Sequence, residues 1–416
     1  MEIKKIPLNE MEQFVAIVSR SYPGIHIVSE DDHTKTAERF SEIQKNDQAS
    51  SFYGAYKDGK MVGGMRLLDF EMMYHKKIVP IGGIGSVAVD LLHKKERVAK
   101  LMLEYFHEHY RDRGFPLTAL YPFRPDFYKQ MGYGYGTKKN RYRVKPENLP
   151  KGSSKAHIAY ITLDQVDTLV DCYNRVAAKT HGYMLRTDKD YIRPMKQQGN
   201  YTIGYLKNGE VKGYAGFSFQ SGKEGNFVIN DILIHEFVYE NQDVLTEMLT
   251  FFHSQFDQIR YILFDTQDEH FHYLFADPRN GTDEMIPHVT HESNTQGIGL
   301  MYRILDVKVF MESLSSHNFN DKTCRLKLSV RDTFLPKNNQ SVTIHVEDGR
   351  LKVGSDLETD VEVQINVSEL SSWLMGVVPF DRLYQYGLAK ISDPNYVNVV
   401  SDLFHSRQKP ECLNRF

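Results

Sequence analysis

Basic side chains cluster at a point where the sequence predicts that a strand ends and a helix begins. They are His93, Lys94, Lys95, Arg97 and Lys100, within the segment 86–100. The first turn of a helix exposes unpaired N–H groups and carries a partial positive charge, so it binds phosphate well and is stabilised by acidic rather than basic neighbours. These cations therefore favour a pyrophosphate site, and a solvated charged turn is the alternative.

Other kinds of catalytic site find less support in the sequence. Ser86 lacks the second glycine of the G-x-S-x-G turn that presents a hydrolase nucleophile. His107 and His109 are two residues apart on a predicted helix, so they point to different faces. His288 and His291 lie in a predicted loop without clustered cysteine or carboxylate partners. We predict no catalytic metal.

The composition is typical of an ordinary folded protein of two or three domains. The 416 residues are 41% apolar and 12% aromatic, and 51 basic against 54 acidic side chains give a net charge of −3. This balance argues against a dedicated nucleic-acid binder, and no stretch approaches the ~20 apolar residues of a membrane helix. Three well-separated cysteines and an N-terminus without a signal sequence favour a cytoplasmic protein.

The elements that would position the basic turn are predicted twice along the chain. Each copy is a hairpin, a strand, a long helix and a final strand, with turns or bounds at 57–60, 85–89, 95–113 and 116–121, and again at 207–210, 231–239, 244–260 and 261–265. The turn glycines Gly59 and Gly209 are 150 residues apart. We interpret this as a duplicated mixed α/β unit, with the common occurrence of this element order as the alternative.

A third domain begins near the end of the second copy. From Cys324 onward, short alternating runs predict an antiparallel sheet, and three short helices follow it. The predicted fold class is therefore α/β and α+β. We place the domains at residues 1–150, 151–290 and 291–416, with turn-rich linkers near 146–154 and 275–297.

Two segments of the first copy resemble motifs of the GNAT acetyltransferase family. Its members grip the pantetheine and pyrophosphate of acetyl-CoA with a strand, a [QR]-x-x-G-x-[GA] loop and the following helix. Further on they carry F-Y-x-x-x-G-[FY], which is matched here by residues 127–133. The resemblance implies that acetyl-CoA contacts Val87, Ala88, Val89, Lys94, Lys95, Glu96, Arg97, Val98, Ala99 and Lys100.

The same resemblance assigns a catalytic role to Tyr128. The departing CoA thiolate needs a proton, and Tyr128 would supply it as general acid; a half-buried tyrosine that only packs under a loop is the alternative. Ala99 fits the small-residue position of the loop motif. Arg97 departs from the motif, because it stands where the family has a glycine that permits close approach of the phosphate.

Over its whole length the chain resembles the Eis (enhanced intracellular survival) group, which joins an active GNAT domain, a degenerate one and a sterol-carrier-protein-like domain. Residues 234–241 fit degeneration, because acidic and neutral residues replace the basic turn there. The resemblance implies acetyl transfer to a primary amine and a homo-oligomer, in that group a hexamer. It also implies that the C-terminal carboxylate, carried here by Phe416, is the base for the attacking amine.

The acceptor amine and two competing functions stay open. Polycationic aminoglycosides, which the best-known Eis-like members accept, need acidic pocket walls that Glu30, Asp31 and Asp32 could supply, whereas Arg415 beside the proposed base argues against a polycation. A smaller amine, a peptide N-terminus and a lysine are alternatives. A hydrophobic-ligand carrier, with the apolar run 373–380 lining a pocket, and a catalytically inactive scaffold are the competing functions.

Overall fold

The N-terminal unit of this computed structural model, which describes residues 1–354 and 358–416, is built on a mixed sheet. Six of its strands are β1 (Glu2–Lys5), β2 (Ser50–Lys57), β3 (Lys60–Tyr74), β4 (Lys77–Val89), β5 (Leu117–Leu120) and β6 (Gly134–Tyr135). Its helices are α1 (Met11–Ser21), α2 (Glu30–Asn46), α3 (Val98–Asp112) and α4 (Pro125–Lys129). α3 packs on the sheet through Val98, Met102, Phe106 and Tyr110, whose spacing of four residues places them on one buried stripe.

The second unit repeats this plan. Its strands are β7 (Lys139–Val144), β8 (Ile158–Tyr160), β9 (Asn200–Lys207), β10 (Glu210–Ser221), β11 (Asn230–Tyr239), β12 (Ile259–Thr266), β13 (Met285–Ile286), β14 (Thr290–His291) and β15 (Asn294–Gly297). Its helices are α5 (Val166–Ala177), α6 (Lys189–Lys196) and α7 (Gln242–His253). β11 pairs antiparallel with β10 and parallel with β12, as β4 does with β3 and β5. The predicted pair of mixed-sheet units is confirmed.

Each of the two sheets contains a strand from outside the residue range predicted for its unit. The second sheet has the order β15-β7-β12-β11-β10-β9-β8, so it takes β7 from before residue 150. The first sheet takes a seventh strand, β16 (Met301–Ile304), between β5 and β6. A short helix, α8 (Val307–Ser313), follows it. Sheet membership therefore crosses both boundaries predicted at residues 150 and 290, and β15 lies inside a segment predicted to be a linker.

The third unit is a smaller α+β domain. Its strands are β17 (Cys324–Arg331), β18 (Ser341–Glu347), β19 (Arg350–Gly354), β20 (Val361–Asn366) and β21 (Ala389–Ile391). Its helices are α9 (Val367–Leu374), α10 (Phe380–Gln385) and α11 (Val397–Leu403). The prediction of a fully antiparallel sheet is wrong at one pair, because β20 returns beside β17 in the parallel direction. No helix in residues 1–354 and 358–416 is long and apolar enough to cross a membrane.

α9 joins this domain to the first sheet. The Ile304 N–H donates to Ser371 Oγ at 3.0 Å, and the Ser372 hydroxyl donates to the Tyr135 carbonyl at 2.9 Å. Trp373, near the end of α9, lies in the core and is 1% exposed. The other large side chains of the apolar run from 373 to 380, namely Leu374, Met375 and Phe380, are buried with it.

Candidate active site

The strands β4 and β5 separate after a short parallel pairing. Residues 81–83 of β4 pair with β5, whereas β4 continues alone on that side as far as Val89. A β-bulge bends this free end, because the register against β3 shifts between Gly64 and Arg66 and Ser86 adopts a φ of 49°. The bulge turns the backbone of the last β4 residues toward the gap between the strands.

Val87 and Val89 have carbonyl groups that bond away from β3. The Val87 carbonyl accepts a hydrogen bond from the Tyr22 hydroxyl, and the Val89 carbonyl accepts one from Ser21 Oγ at 2.9 Å. Ala88, between them, is buried. A carbonyl oxygen accepts two hydrogen bonds, so an amide N–H of a ligand in the gap would join or displace these hydroxyls. The strand groups predicted to meet pantetheine therefore border the gap, with the end of α1 beside them.

The start of α3 has unpaired N–H groups. Within the described residues no side chain caps this helix, and its first turn contains no acid. The first backbone N–H to bond inside the helix is that of Leu101, which donates to the Arg97 carbonyl at 3.0 Å. The N–H groups of Val98, Ala99 and Lys100 are therefore the free donors that attract a phosphate.

The loop before α3 presents its cations to solvent. Lys94 and Lys95 are exposed. Of the two acids in this loop, Asp90 pairs with Arg20 at 3.2 Å, and Glu96 accepts from Lys57 at 2.9 Å and contacts His93 at 3.1 Å. Hydrogen bonds from Lys57, and secondarily from His93, lower the pKa of Glu96. Lys57, from outside the loop, therefore offsets the charge of Glu96, and Lys94 and Lys95 leave the loop positive.

Arg97 keeps the backbone geometry of the glycine that the motif expects. It is the N-cap residue of α3, with a φ of 64° and a ψ of 14°. This left-handed conformation is natural for glycine and costs an arginine roughly 1 kcal/mol. Arg97 therefore changes the side chain at this motif position without changing the backbone conformation, and it adds a cation to the turn.

The equivalent turn of the second unit has different electrostatics. Asn241 caps α7 by accepting from the Val244 N–H at 3.2 Å, and Asp243 lies in the first turn. Next to the corresponding bulge in β11, Glu236 forms a partly buried ion pair with Arg186 at 2.7 Å. At the start of α7, Asn241 already occupies an N–H group and Asp243 adds a negative charge. The start of α7 should therefore bind an anion more weakly than the start of α3.

Tyr128 lies on α4 in the buried cluster beneath α3. Its ring meets Tyr133 edge to face at 5.9 Å between centroids, and Tyr133 in turn bonds His107 of α3 at 2.9 Å. The Tyr128 side chain is 3% exposed, and burial raises the pKa of its phenol. The phenol is therefore protonated at neutral pH, as a proton donor must be.

Phe416 lies against β4. Its ring packs on Phe70 and Tyr121, with centroids 4.9 and 5.5 Å away. A Cβ added to Gly85 would lie 3.1 Å from the carboxyl carbon of Phe416, so the carboxylate occupies the space that a side chain at this position would need. The structure thus places the chain terminus beside the gap between β4 and β5.

Tyr128 and Phe416 approach the separated strands from opposite faces of the sheet. Alternate β4 residues face opposite sides. A Cβ on Gly82 would meet the Tyr110 ring of α3 at 2.5 Å, whereas Gly83 and Gly85 face Phe416. Tyr128, which belongs to the cluster packed against α3, therefore lies on one face of the sheet, and the Phe416 carboxylate lies on the other.

The tail that carries Phe416 is fixed by the second unit and by Tyr121, the residue after β5. Arg186 Nε and the Tyr173 hydroxyl donate to Asn414 Oδ1 at 3.0 and 3.2 Å, and the Tyr121 hydroxyl donates to the Asn414 carbonyl at 2.9 Å. The Cys412 N–H donates to Gln267 Oε1 at 2.6 Å. Sequence reasoning missed these anchors, because each lies far from the tail in sequence and belongs to no motif.

A cleft of about 660 Å³ opens beside Phe416. It is lined by Tyr121, Lys139, Arg141, Thr295, Gln296, Gly297, Ile298, Gly299, Arg415 and Phe416. Glu30, Asp31 and Asp32, the acids named as possible walls of an acceptor pocket, are not among the described residues that line this cleft. Asp31 pairs with Lys35 at 2.5 Å, and Asp32 forms a capping box with Ser29 at the start of α2. The described residues contain no group of three or more His, Cys, Asp and Glu side chains that could hold a metal ion.

Comparisons with known proteins agree with the three-unit fold. Residues 2–136 match the family model of an acetyltransferase (GNAT) domain, residues 182–304 match a second model of that description, and residues 307–413 match a sterol carrier protein domain. No curated protein sequence matches the chain.

Solved structures share the fold over the whole chain. A GCN5-related N-acetyltransferase from Anabaena variabilis is 17% identical, with 100% of both chains covered and a TM-score of 0.80. One from Kribbella flavida is 16% identical, covering 100% of this chain and 98% of its own, with a TM-score of 0.79. Eis1 from Mycobacterium abscessus is 17% identical, with 100% of both chains covered and a TM-score of 0.78. The chain therefore comprises two GNAT acetyltransferase domains in tandem and a C-terminal sterol carrier protein domain.

Proposed function

We propose that this protein is an N-acetyltransferase that moves the acetyl group of acetyl-CoA to a primary amine. The observation that carries the proposal is the terminal carboxylate of Phe416, which lies on Gly85 where β4 leaves β5. An amine that attacks a thioester in this opening would need a base to take its proton, and the Phe416 carboxylate would be that base. The same strand leads to the uncapped, cationic start of α3, which suits the pyrophosphate of CoA.

The cosubstrate would be held by the first unit alone. The free N–H groups at the start of α3 and the exposed Lys94 and Lys95 would bind pyrophosphate, and Val87 and Val89 would bond the pantetheine amides. The second unit would be degenerate, because Asn241 and Asp243 occupy its equivalent turn. Its contribution would be to anchor the C-terminal tail through Arg186.

The proposed chemistry is direct transfer. The amine nitrogen attacks the thioester carbonyl carbon, the C–S bond breaks, and its electron pair leaves on sulfur. The Phe416 carboxylate takes the proton that the amine loses, and Tyr128 gives its phenolic proton to the thiolate. The Phe416 ring packs on Phe70 and Tyr121, and this packing would hold the carboxylate beside the opening.

We extend the proposal to a homo-oligomer. Large apolar side chains of the second unit are exposed to solvent, among them Phe219, Phe227, Val228 and Phe256. Phe227 is 91% exposed, and an apolar patch that is exposed in the monomer is typical of an interaction surface. Sedimentation should show a species larger than the 48.2 kDa chain, and a concentration-independent monomer would contradict the extension.

One added residue tests the base. A glycine appended after Phe416 preserves every side chain and displaces only the carboxylate. We expect kcat for amine acetylation, followed as thiol release from acetyl-CoA, to fall by ~10²-fold or more, with acetyl-CoA affinity unchanged. A glycine inserted after Met1 is the control and should have no effect.

The same assay tests the activity itself. A panel of polyamines, aminoglycosides, amino acids and lysine peptides should contain an amine that releases CoA with the unmodified protein. If the extended protein keeps the original kcat, the terminal carboxylate is not the base. If no amine releases CoA, the acetyltransferase assignment fails.

A further inference from the structure

The cleft beside Phe416 is lined by three cations. Lys139 and Arg141 come from β7, and Arg415 precedes the terminal residue. Apart from the terminal carboxylate, no acidic group is among the described residues that line it. An acceptor amine must reach the Phe416 carboxylate through or beside this cleft. The three cations therefore attract or repel any other charged group on the acceptor molecule.

Only one of the three cations is neutralised. Arg141 makes two hydrogen bonds to Asp265, with Nε–Oδ1 at 2.7 Å and Nη2–Oδ2 at 2.8 Å. Within the part of the chain that the structure describes, Lys139 and Arg415 form no ion pair, and the only bond from the Arg415 side chain is to the His235 carbonyl at 3.4 Å. Two cationic donors therefore face the cleft without a carboxylate partner.

Lys139 shows the electrostatic character of the cleft. Burial lowers the pKa of its ammonium, Asp265 raises it in part, and Arg415 lowers it further. Counting Lys139, Arg141 and Arg415 against Asp265 and the terminal carboxylate leaves one net positive charge at the cleft. An additional cation would be repelled here, whereas an anion would gain charge-assisted hydrogen bonds.

We propose that the acceptor is a primary amine that carries an anionic group, a carboxylate or a phosphate, bound by Lys139 and Arg415 while its amine faces the Phe416 carboxylate. This inference rests on the proposed acetyltransferase function. The anionic end of the acceptor would contact Lys139 of β7 and Arg415 of the tail, and its amine would face the Phe416 carboxylate in the same cleft. Polycationic acceptors fit poorly, because they would place several ammonium groups beside Lys139 and Arg415.

Matched acceptors test the inference. β-Alanine and its carboxamide present the same amine with and without an anion, 2-aminoethyl phosphate replaces the carboxylate by phosphate, and 1,3-diaminopropane replaces it by a cation. We expect kcat/KM for at least one anionic acceptor to exceed that for the carboxamide by ~10-fold or more, because the neutral carboxamide cannot make the charge-assisted hydrogen bonds that an anion makes. The diamine should be the poorest of the four.

Variants locate the anion. Lys139→Gln combined with Arg415→Gln should abolish the preference for the anionic acceptor and leave acetyl-CoA affinity unchanged, which also shows that the variant is folded. Lys138→Gln is the matched control, because Lys138 is exposed and does not line the cleft. It should keep the preference.

The outcomes separate the two proposals. A preference for the carboxylate or the phosphate that disappears in the double variant supports the inference, and the better of the two identifies the anion. If the carboxamide or the diamine is acetylated as well as the anionic acceptors, or if the double variant keeps the preference, the inference is overturned while the acetyltransferase function stands. If no amine of this set or of the wider panel releases CoA, both are overturned.

Discussion

Tyr128 fills space in a buried cluster and is also proposed to donate a proton, and one substitution separates these roles. Tyr128→Phe keeps the ring that packs on Phe123 and Tyr133 and removes only the hydroxyl. We expect kcat to fall by ~10²–10⁴-fold, the usual share of a general acid, with little change in acetyl-CoA affinity. Steady-state rates and a direct binding titration measure the two quantities.

Tyr133 provides the control for this substitution. Its hydroxyl lies in the same cluster but is engaged with His107 at 2.9 Å and Thr118 at 3.3 Å. Tyr133→Phe should lower stability, because it leaves His107 without its partner, and should largely preserve kcat. A Tyr128→Phe enzyme that keeps its rate, or an equal loss in both variants, would mean that the Tyr128 phenol is not the acid.

At the scale of elements, reversing the charges at the start of α3 should weaken acetyl-CoA binding. Lys94→Glu combined with Lys95→Glu places two carboxylates beside the free N–H groups of the helix. We expect the Kd of acetyl-CoA to rise at least tenfold, equivalent to ~1.4 kcal/mol or more. Isothermal titration calorimetry measures this affinity without requiring turnover.

The control reverses the same number of charges at the other end of β4. Lys76 lies in the turn between β3 and β4, and Lys77 is the first residue of β4. Lys76→Glu combined with Lys77→Glu should leave acetyl-CoA affinity unchanged. Equal affinities for both double variants would refute the pyrophosphate site at α3. Crystallographic density for CoA at α7 would refute the proposed degeneracy of the second unit.

Elements with local signals could be predicted, and those made by distant pairing could not. The hairpin turns contain Asp58-Gly59 and Asn208-Gly209, whose left-handed backbone closes β2–β3 and β9–β10 where the sequence predicts them. The insertion of β16 between β5 and β6 depends on a segment far away in sequence, and no local pattern encodes it. The parallel pairing of β17 with β20 was missed for the same reason.

The candidate site divides in the same way. Its basic turn is contiguous in sequence, so the chemistry of the turn could be read directly. The place of Phe416 was an expectation from resemblance, and its anchors at Asn414 and Arg186 are visible only in the fold. The basic character of the cleft was only partly foreseen, because Arg415 is next to the terminus whereas Lys139 reaches the cleft from β7.

At the scale of the whole molecule, a stack of histidines joins the three units. His75 lies in the turn between β3 and β4, and its ring stacks on His181 at 4.2 Å and on His317 at 4.7 Å. The His75 N–H donates to His181 Nδ1 at 3.1 Å, so His181 Nε2 carries the proton that bonds the Met375 carbonyl at 3.0 Å. Burial lowers the pKa of His75 to about 3 and that of His181 to about 4.

This junction should weaken as the pH falls. The folded protein keeps His75 neutral, whereas the unfolded chain binds a proton near pH 6.5, so the stability that His75 contributes is complete above ~pH 6.5 and is lost below it. Between pH 6.5 and 5 the loss is ~2 kcal/mol for this one group. Burial raises the pKa of Glu411 to about 7, which acts in the opposite direction, so a variant is needed to isolate His75.

His75→Asn is that variant, because asparagine tolerates the left-handed backbone at this position, where φ is 53°. We expect it to be less stable than the unmodified protein at pH 7.5, where the stack is intact, and the difference to shrink by ~2 kcal/mol at pH 5, as urea unfolding at the two pH values would show. His26→Asn is the control, since His26 has a φ of 54° but is exposed. A stability difference for His75→Asn that is equal at both pH values would mean that protonation of His75 does not govern the junction.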